Sequence, residues 1–323
     1  CISNLFMSRK IEIILNKSEI TAGTRGSSLG PDAIITAARK SGSLIFGNYP
    51  ITTIPVMNHM LDQPVKFPFA KRIEGLIQIF DNISNAVQKS INEDRFPLIL
   101  ASDHGSAGGT IAGLKALHPN KKLGVIWIDA HGDLHTPYTT PSGNMHGMPL
   151  ATAIGEDNLD FKRNDVKGEV AGFWQKLKDT GVKGQKIDPS HLVFIAVRDT
   201  EPEEEALMEK YNIKNHTVAD LRKKGVQSII NETLTQLETC DMIYVSFDVD
   251  SMDPDLTSYG TGTPVKEGLT PEEGNDLLVG FAKEKRTACI EFVEVNPCLD
   301  NQKNRMAEIT FELVTNVILE LEK

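Results

Sequence analysis

The apolar run Leu123-Gly-Val-Ile-Trp-Ile128, with the polar residues that follow it, constrains the fold more than any other stretch of the chain. A run so short and so apolar, bounded by lysines and by Asp129, reads as a strand buried on both faces. Beyond it come Asp129, His131 and Asp133, at alternate positions. Alternate residues of an extended chain share one side, so two carboxylates and an imidazole converge where the strand ends. Crowding them away from water without a counter-charge is unfavourable. A divalent cation of the manganese, iron or zinc type removes that penalty and suits their oxygen and nitrogen donors. A single Asp-x-His would read more simply as a solvated acidic turn.

The same grammar recurs. Phe96 to Leu100 is a short buried strand that ends in Ala101-Ser102-Asp103-His104-Gly105-Ser106. His191 to Val197 runs into Arg198-Asp199-Thr200-Glu201, Met242 to Phe247 into Asp248-Val-Asp250, and Ala288 to Val293 into Glu294-Val-Asn296-Pro297. Ile11 to Leu15 is a further strand, ahead of a Gly-rich loop that enters a helix with Pro31 in its first turn. That loop carries neither the P-loop nor the dinucleotide fingerprint and is placed on the rim of a site. Helical spacing covers 73–92, and helices are expected up to Leu117, around Phe173 to Lys178, after Glu201 and over 302–322, whereas 41–72 reads as irregular. Buried strands alternating with helices imply an α/β chain, a three-layer α/β/α arrangement with a mostly parallel central sheet. No repeat or linker divides residues 1–323, which are read as a single domain. Ligands of such sheets sit beyond the carboxyl ends of the strands, where all these polar clusters fall.

A net charge of −10 and a pI near 5.4 exclude a nucleic-acid surface. No apolar run is long enough for a membrane span, and CISNLFMSRK has too short an apolar core for a signal peptide. Met7 is the expected natural start, with residues 1 to 6 foreign to it. Cys1, Cys240, Cys289 and Cys298 show no close pairing, which implies reduced thiols and a cytoplasmic protein.

Collected, the strand-end donors are His104, Asp129, His131, Asp133, Asp248 and Asp250. They exceed the usual four ligands of one zinc. They suit two octahedral-type ions roughly 3.5–4 Å apart that share carboxylates. By itself His104 would read as a core histidine, and Asp253-Pro254 reads as a turn.

In this order and spacing, ASDHGS, IDAHGD, SFDVDSMDP and EVNP resemble the ureohydrolase family, which includes arginases, agmatinases and formimidoylglutamases. The resemblance spans residues 95–300 and implies a binuclear manganese centre, two Mn2+ per subunit. One ion would be held by His104, Asp129, Asp133 and Asp248, the other by Asp129, His131, Asp248 and Asp250. The segment Thr139-Thr140-Pro141-Ser142-Gly143-Asn144-Met145-His146-Gly147 is similar to an arginase loop. This implies that Thr140, Ser142 and Asn144 bind a substrate α-carboxylate and that His146 shuttles protons. Glu294 falls where the guanidinium is held, and Asp133 counts as catalytic as well as metal-binding. Glu273 matches a family glutamate near the metals, and reads equally well as an acid at a helix N-terminus.

The chain also departs from the pattern. Gly105 replaces a serine, His135 stands where asparagine is common, and the usual pair of aspartates is Asp199 and Glu201, with Glu201 where the α-amino group is read. The resemblance implies manganese-dependent hydrolysis of L-arginine to L-ornithine and urea by a metal-bridging hydroxide. The runner-up is an amidinohydrolase or formiminohydrolase acting on guanidinobutyrate, agmatine or formiminoglutamate. Other classes, a metal-binding regulator without catalysis or an interaction protein, are disfavoured by the intact ligand set. A small guanidino substrate is the expected partner, and the family implies a homo-oligomer, trimer or hexamer.

Overall fold

All the strands of this protein lie parallel in one sheet, in a computed structural model that describes residues 9–166 and 168–323. Residues 1 to 6 and the expected start at Met7 lie outside that range. The strands are β1 (Ile11–Asn16), β2 (Ile51–Thr53), β3 (Phe96–Ala101), β4 (Leu123–Ile128), β5 (Leu192–Ile195), β6 (Lys214–His216), β7 (Met242–Asp248) and β8 (Thr287–Val293). Their order across the sheet is β2-β1-β3-β8-β7-β4-β5-β6. β3 and β4 follow each other in the chain but are not neighbours, because β8 and β7 fill the space between them. The topology therefore switches direction at the centre of the sheet, and the loops leaving β3, β4, β7 and β8 converge beyond their carboxyl ends. This is the crevice in which open α/β sheets bind ligands.

Strand side chains divide by alternation. Ile13, Ile126 and Val245 enter one core with α1 (Gly30–Lys40), α7 (Val218–Lys224), α8 (Val226–Gln236), α9 (Pro271–Lys283) and α10 (Arg305–Leu321). Ile14, Trp127 and Tyr244 enter the other with α2 (Ile73–Asn92), α3 (Ala107–Leu117), α4 (Pro149–Ile154), α5 (Glu169–Asp179) and α6 (Pro202–Lys210). The expected three-layer α/β/α class is the observed one, and the sheet is parallel throughout. Among the described residues no helix is long and apolar enough to cross a membrane.

Several elements differ from the sequence reading, among them α7 and α8, which it did not anticipate. The segment 41–72 is not wholly irregular, since Ile51–Thr53 pairs with Ile13–Leu15 as an edge strand. It is three residues long and half exposed between Pro50 and Pro55, too short to carry a period. The opposite edge, Lys214–His216, has no apolar signal because it pairs on one side only. The helix Pro149–Ile154 is buried on all sides and so lacks amphipathic spacing.

Candidate active site

The loop leaving β3 delivers His104, which is 1% exposed. Its Nδ1 lies 3.0 Å from Asp129 Oδ2, 3.1 Å from Asp133 Oδ2 and 3.2 Å from Asp248 Oδ2. On the next side of the crevice, His131 Nδ1 lies 3.1 Å from Asp250 Oδ2 and 3.4 Å from Asp129 Oδ1. Asp129 thus turns one oxygen to each histidine. Backbone amides aim the carboxylates: His131 N donates to Asp129 Oδ1 at 2.7 Å, Asp250 N to Asp248 Oδ1 at 2.8 Å and Ala130 N to Asp250 Oδ1 at 3.2 Å. Thr263, in the Gly260–Pro264 run, donates to Asp250 Oδ2 at 3.2 Å. The six expected ligand residues are all brought together.

The electrostatics of this cluster call for positive charge. Burial and the neighbouring Asp250 and Asp129 raise the Asp248 carboxyl well above its ordinary value, while burial and Asp129 raise Asp133 to about 6. Burial raises Asp250 too. Burial alone would depress both imidazoles, but the surrounding carboxylates push His104 and His131 well above the usual histidine value. Asp129 is lowered, since its two histidines outweigh its burial. His104 Nδ1 and Asp129 Oδ2 are fully buried without a hydrogen-bond partner. One imidazole proton cannot serve three carboxylate oxygens at once. Divalent cations can, and the donor sets His104/Asp129/Asp248 and Asp129/His131/Asp250 are each gathered within 4.8 Å. Oxygen and imidazole donors of this kind fit manganese-type ions.

A cavity of about 160 Å³ runs outward from the cluster. One wall is the loop from Thr140 to Gly147. Gly143 has φ +75°, and a Cβ there would collide with the Pro68 carbonyl oxygen, so only glycine closes this turn. Thr140 Oγ1 accepts from Gly143 N at 2.9 Å and Ser142 N at 3.3 Å, and Lys71 Nζ donates to Asn144 Oδ1 at 3.0 Å. Thr140 therefore serves the turn as well as lining the cavity, and Ser142 and Asn144 line it beside Thr140.

Glu294, just past β8, holds φ +70°, a left-handed conformation that costs of order 1–3 kcal/mol for a residue other than glycine. Its Oε1 accepts from His104 N at 2.9 Å and lies 3.5 Å from His146 Nδ1. Burial lowers the His146 imidazole, but the Glu294 carboxylate beside it outweighs that and raises it. The Gly-rich loop before α1 also reaches the site, as its expected place on the rim requires. Thr21 N donates to Asp103 Oδ2 at 3.0 Å, and His146 N donates to Thr21 O at 3.3 Å. Gly105 is explained by the same residue, since a Cβ there would meet the Thr21 side chain.

The far end of the cavity differs from the sequence reading. His135 is buried, with Nδ1 3.1 Å from Thr139 Oγ1 and Nε2 3.6 Å from both Glu201 Oε2 and Glu204 Oε2. Burial holds its imidazole down at about 4. The Glu201 side chain is 42% exposed and also lies 3.8 Å from Arg163 Nη1. Glu204, which sequence reasoning missed, is the more buried carboxyl, and burial together with Asp133 raises it to about 8. It accepts from Leu134 N at 3.1 Å and, through its other oxygen, from Glu201 N at 3.1 Å. The available signal was its position three residues after Glu201 across Pro202, the spacing at which a helical acid turns back to the helix start. Asp199 sits at the other end, 64% exposed, with Oδ2 3.7 Å from His131 Nε2. Its bridge to His131 holds it beside that histidine.

Two further residues are settled by their partners. Glu273 is at the N-terminus of α9, where Thr270 N donates to Glu273 Oε2 at 2.8 Å, and it pairs with Arg222 at 3.1 Å. The helix-end reading is the observed one. Arg198, read only as a strand end, donates to the carbonyls of Asp250 at 2.9 Å, Val265 at 2.7 Å and Lys266 at 2.9 Å, which clasps the loop carrying Asp250.

Known proteins are similar to this chain over most of its length. The model of the Arginase family matches residues 10–321. An arginase of Bacillus subtilis (strain 168) is 32% identical over 319 residues, covering 97% of this chain and 98% of the relative. An arginase of Bacillus caldovelox is 34% identical over 245 residues, 76% of this chain and 75% of that one. The native crystal structure of Bacillus caldovelox arginase superposes with a TM-score of 0.81 at 32% identity, over 96% of this chain and 98% of the other. A match that spans both the sheet and the loops at its carboxyl edge leaves no segment of the catalytic crevice outside the comparison, and on that ground the chain belongs to the arginase family.

Proposed function

We propose that this chain hydrolyses the guanidinium group of L-arginine to L-ornithine and urea, using two Mn2+ held by His104, Asp129, Asp133 and Asp248 and by Asp129, His131, Asp248 and Asp250. The observation that carries the reading is one cavity with cation-binding carboxylates at its inner end and, about its mouth, groups suited to an amino acid. Bound divalent ions acidify water to near neutrality and polarise the group under attack. Glu294 receives the guanidinium through parallel charge-assisted hydrogen bonds. Ser142 and Asn144 offer neutral donors to the α-carboxylate, and Glu201 and Glu204 accept from the ammonium, with His135 between them. His146, held by Glu294 and 22% exposed, passes a proton to the leaving amine. The described chain acts as one catalytic domain. Cytoplasmic residence and a homotrimer or homohexamer belong to the same proposal and rest on the family resemblance.

Urea or product release from arginine, agmatine, guanidinobutyrate and formiminoglutamate with added manganese tests the substrate. Arginine is expected to give the highest kcat/KM. Faster turnover of another compound would move the assignment to that amidine, and no turnover of any would favour a non-catalytic metal protein.

Two variants probe the roles. His146→Ala is expected to keep full metal content while turnover falls. The loss should lie toward or below the low end of the roughly 10²–10⁴-fold typical of positioned acids and bases, because water reaches the ring. Loss of one metal equivalent would make His146 a ligand instead. For the ammonium end, a charge-assisted hydrogen bond contributes roughly 1.5–3 kcal/mol, about 10- to 100-fold. Glu201→Gln should therefore weaken arginine in kcat/KM, toward the low end of that range because Glu201 is half exposed, while sparing an analogue without the α-amino group. Glu204→Gln should weaken both substrates, because its NH2 would face the Leu134 or the Glu201 N–H that Glu204 accepts. Equal losses for both substrates in Glu201→Gln would remove that carboxylate from ammonium recognition.

A further inference from the structure

Beneath the metal-ligand cluster, on the sheet face covered by α2 and α3, an apolar core contains a row of polar side chains that the chemistry above does not use. Ser246 Oγ lies 2.7 Å from His104 Nε2. The Tyr244 hydroxyl, on the same face of β7 as Ser246, donates to Glu291 Oε2 at 2.7 Å. Ser246, Tyr244 and Glu291 are each 0% exposed. Tyr244 and Ser246 share a face with Asp248 by alternation along β7, and the pairing of β7 with β8 sets Ser246 opposite Glu291. The Trp127 ring stacks on the imidazole of His104, with centroids 3.9 Å apart and planes 4° apart.

The direction of these bonds gives the row a role. His104 Nδ1 faces three carboxylates, so it can hold a cation only as a lone pair, with the ring proton on Nε2. Nε2–H then donates to Ser246 Oγ, the single serine proton goes on to the Tyr244 oxygen, and the tyrosine proton goes to Glu291. Glu291 Oε2 accepts this bond whether or not the carboxyl is ionised, so it fixes the polarity of the whole row. Without a terminal acceptor the hydroxyls are free to reverse. Ser246 would then donate to Nε2, and the ring proton would occupy Nδ1, where the cation belongs.

We propose that Tyr244 and Glu291 are positioning residues of the metal centre, fixing through Ser246 the tautomer and orientation in which His104 holds a divalent cation. The inference rests on the two-ion reading above and concerns one ion, since His131 reaches Asp129, Asp199 and Asp250 instead.

Calorimetric titration of metal-stripped full-length protein with Mn2+ tests it. Groups that orient a ligand histidine typically carry about 10- to 100-fold in metal affinity. Tyr244→Phe is therefore expected to weaken one equivalent by about that factor and leave the other in place. Glu291→Leu should behave alike, whereas Glu291→Gln, which keeps an acceptor for the tyrosine, should bind like wild type. If Tyr244→Phe does not fold, Ser246→Ala cuts the row at its first link with a smaller change in volume and is expected to weaken the same equivalent. Wild-type affinity for both equivalents in the cut row, or equal weakening of both, overturns the inference. A wild-type protein that binds fewer than two equivalents overturns the two-ion reading itself, and this inference with it.

Discussion

Asp129→Asn is expected to lose metal and activity together. Asp129 is 0% exposed, and its two oxygens lie toward different histidines, 3.0 Å from His104 Nδ1 and 3.4 Å from His131 Nδ1. The amide has nearly the same shape but no charge, and one of its two positions becomes a donor aimed at a cation. The loss therefore falls on both ions, unlike a change at Asp250 or His131. Metal-assisted charge stabilisation is worth several kcal/mol, so kcat/KM should fall by at least about 10³-fold. Elemental analysis and urea release on the same sample decide it. Full manganese occupancy with unchanged turnover would end the assignment of Asp129 as the shared carboxylate. Chelation of the wild type should act in parallel on stability. At free metal about 1,000 times the Kd, binding contributes about 4 kcal/mol per site, so removal should lower Tm by several degrees. An unchanged Tm on chelation would mean that these residues hold no cation in solution.

Glu294→Gln is the second large effect. The glutamine can still accept the His104 N–H that Glu294 accepts at 2.9 Å, so the fold and the metal ligands should persist. What disappears is the buried negative charge that the proposal sets opposite the guanidinium. Removing one partner of a desolvated charged pair costs about 2–5 kcal/mol, roughly 30- to 5,000-fold in kcat/KM. Metal content should stay at the wild-type level. Wild-type kcat/KM for arginine in this variant would remove Glu294 from substrate binding and leave it the role of bracing His104 and His146.

Most of the fold was readable from local pattern. Leu123–Ile128 and Met242–Asp248 announce themselves because a strand in the middle of a parallel sheet is apolar on both faces. The paired donors Asp129/His131 and Asp248/Asp250 were legible for the same reason, since period-two spacing at a strand end is local geometry. The edges β2 and β6 were not legible, because a strand that pairs on one side and is short has neither length nor apolar continuity to mark it. Glu204 was hidden among Glu203, Glu204 and Glu205, where three adjacent acids look alike in sequence. Which of them turns inward is set by where α6 starts after Pro202 and by the Leu134 amide that meets it.

By itself the sequence determined which residues lie on the central strands, which side of each they face, and which donors stand at its end. Only the tertiary structure decided how those ends meet. The insertion of β8 and β7 between β3 and β4 brings His104 to Asp129 and Asp248, and Glu294 to His146, across long stretches of chain. A register irregularity at Ile243/Tyr244 sets Ser246 opposite Glu291. The physical reason is one of range. Side-chain direction along a strand follows from backbone sterics within a few residues, whereas strand order and register are chosen by the summed burial and hydrogen bonding of partners far apart in sequence.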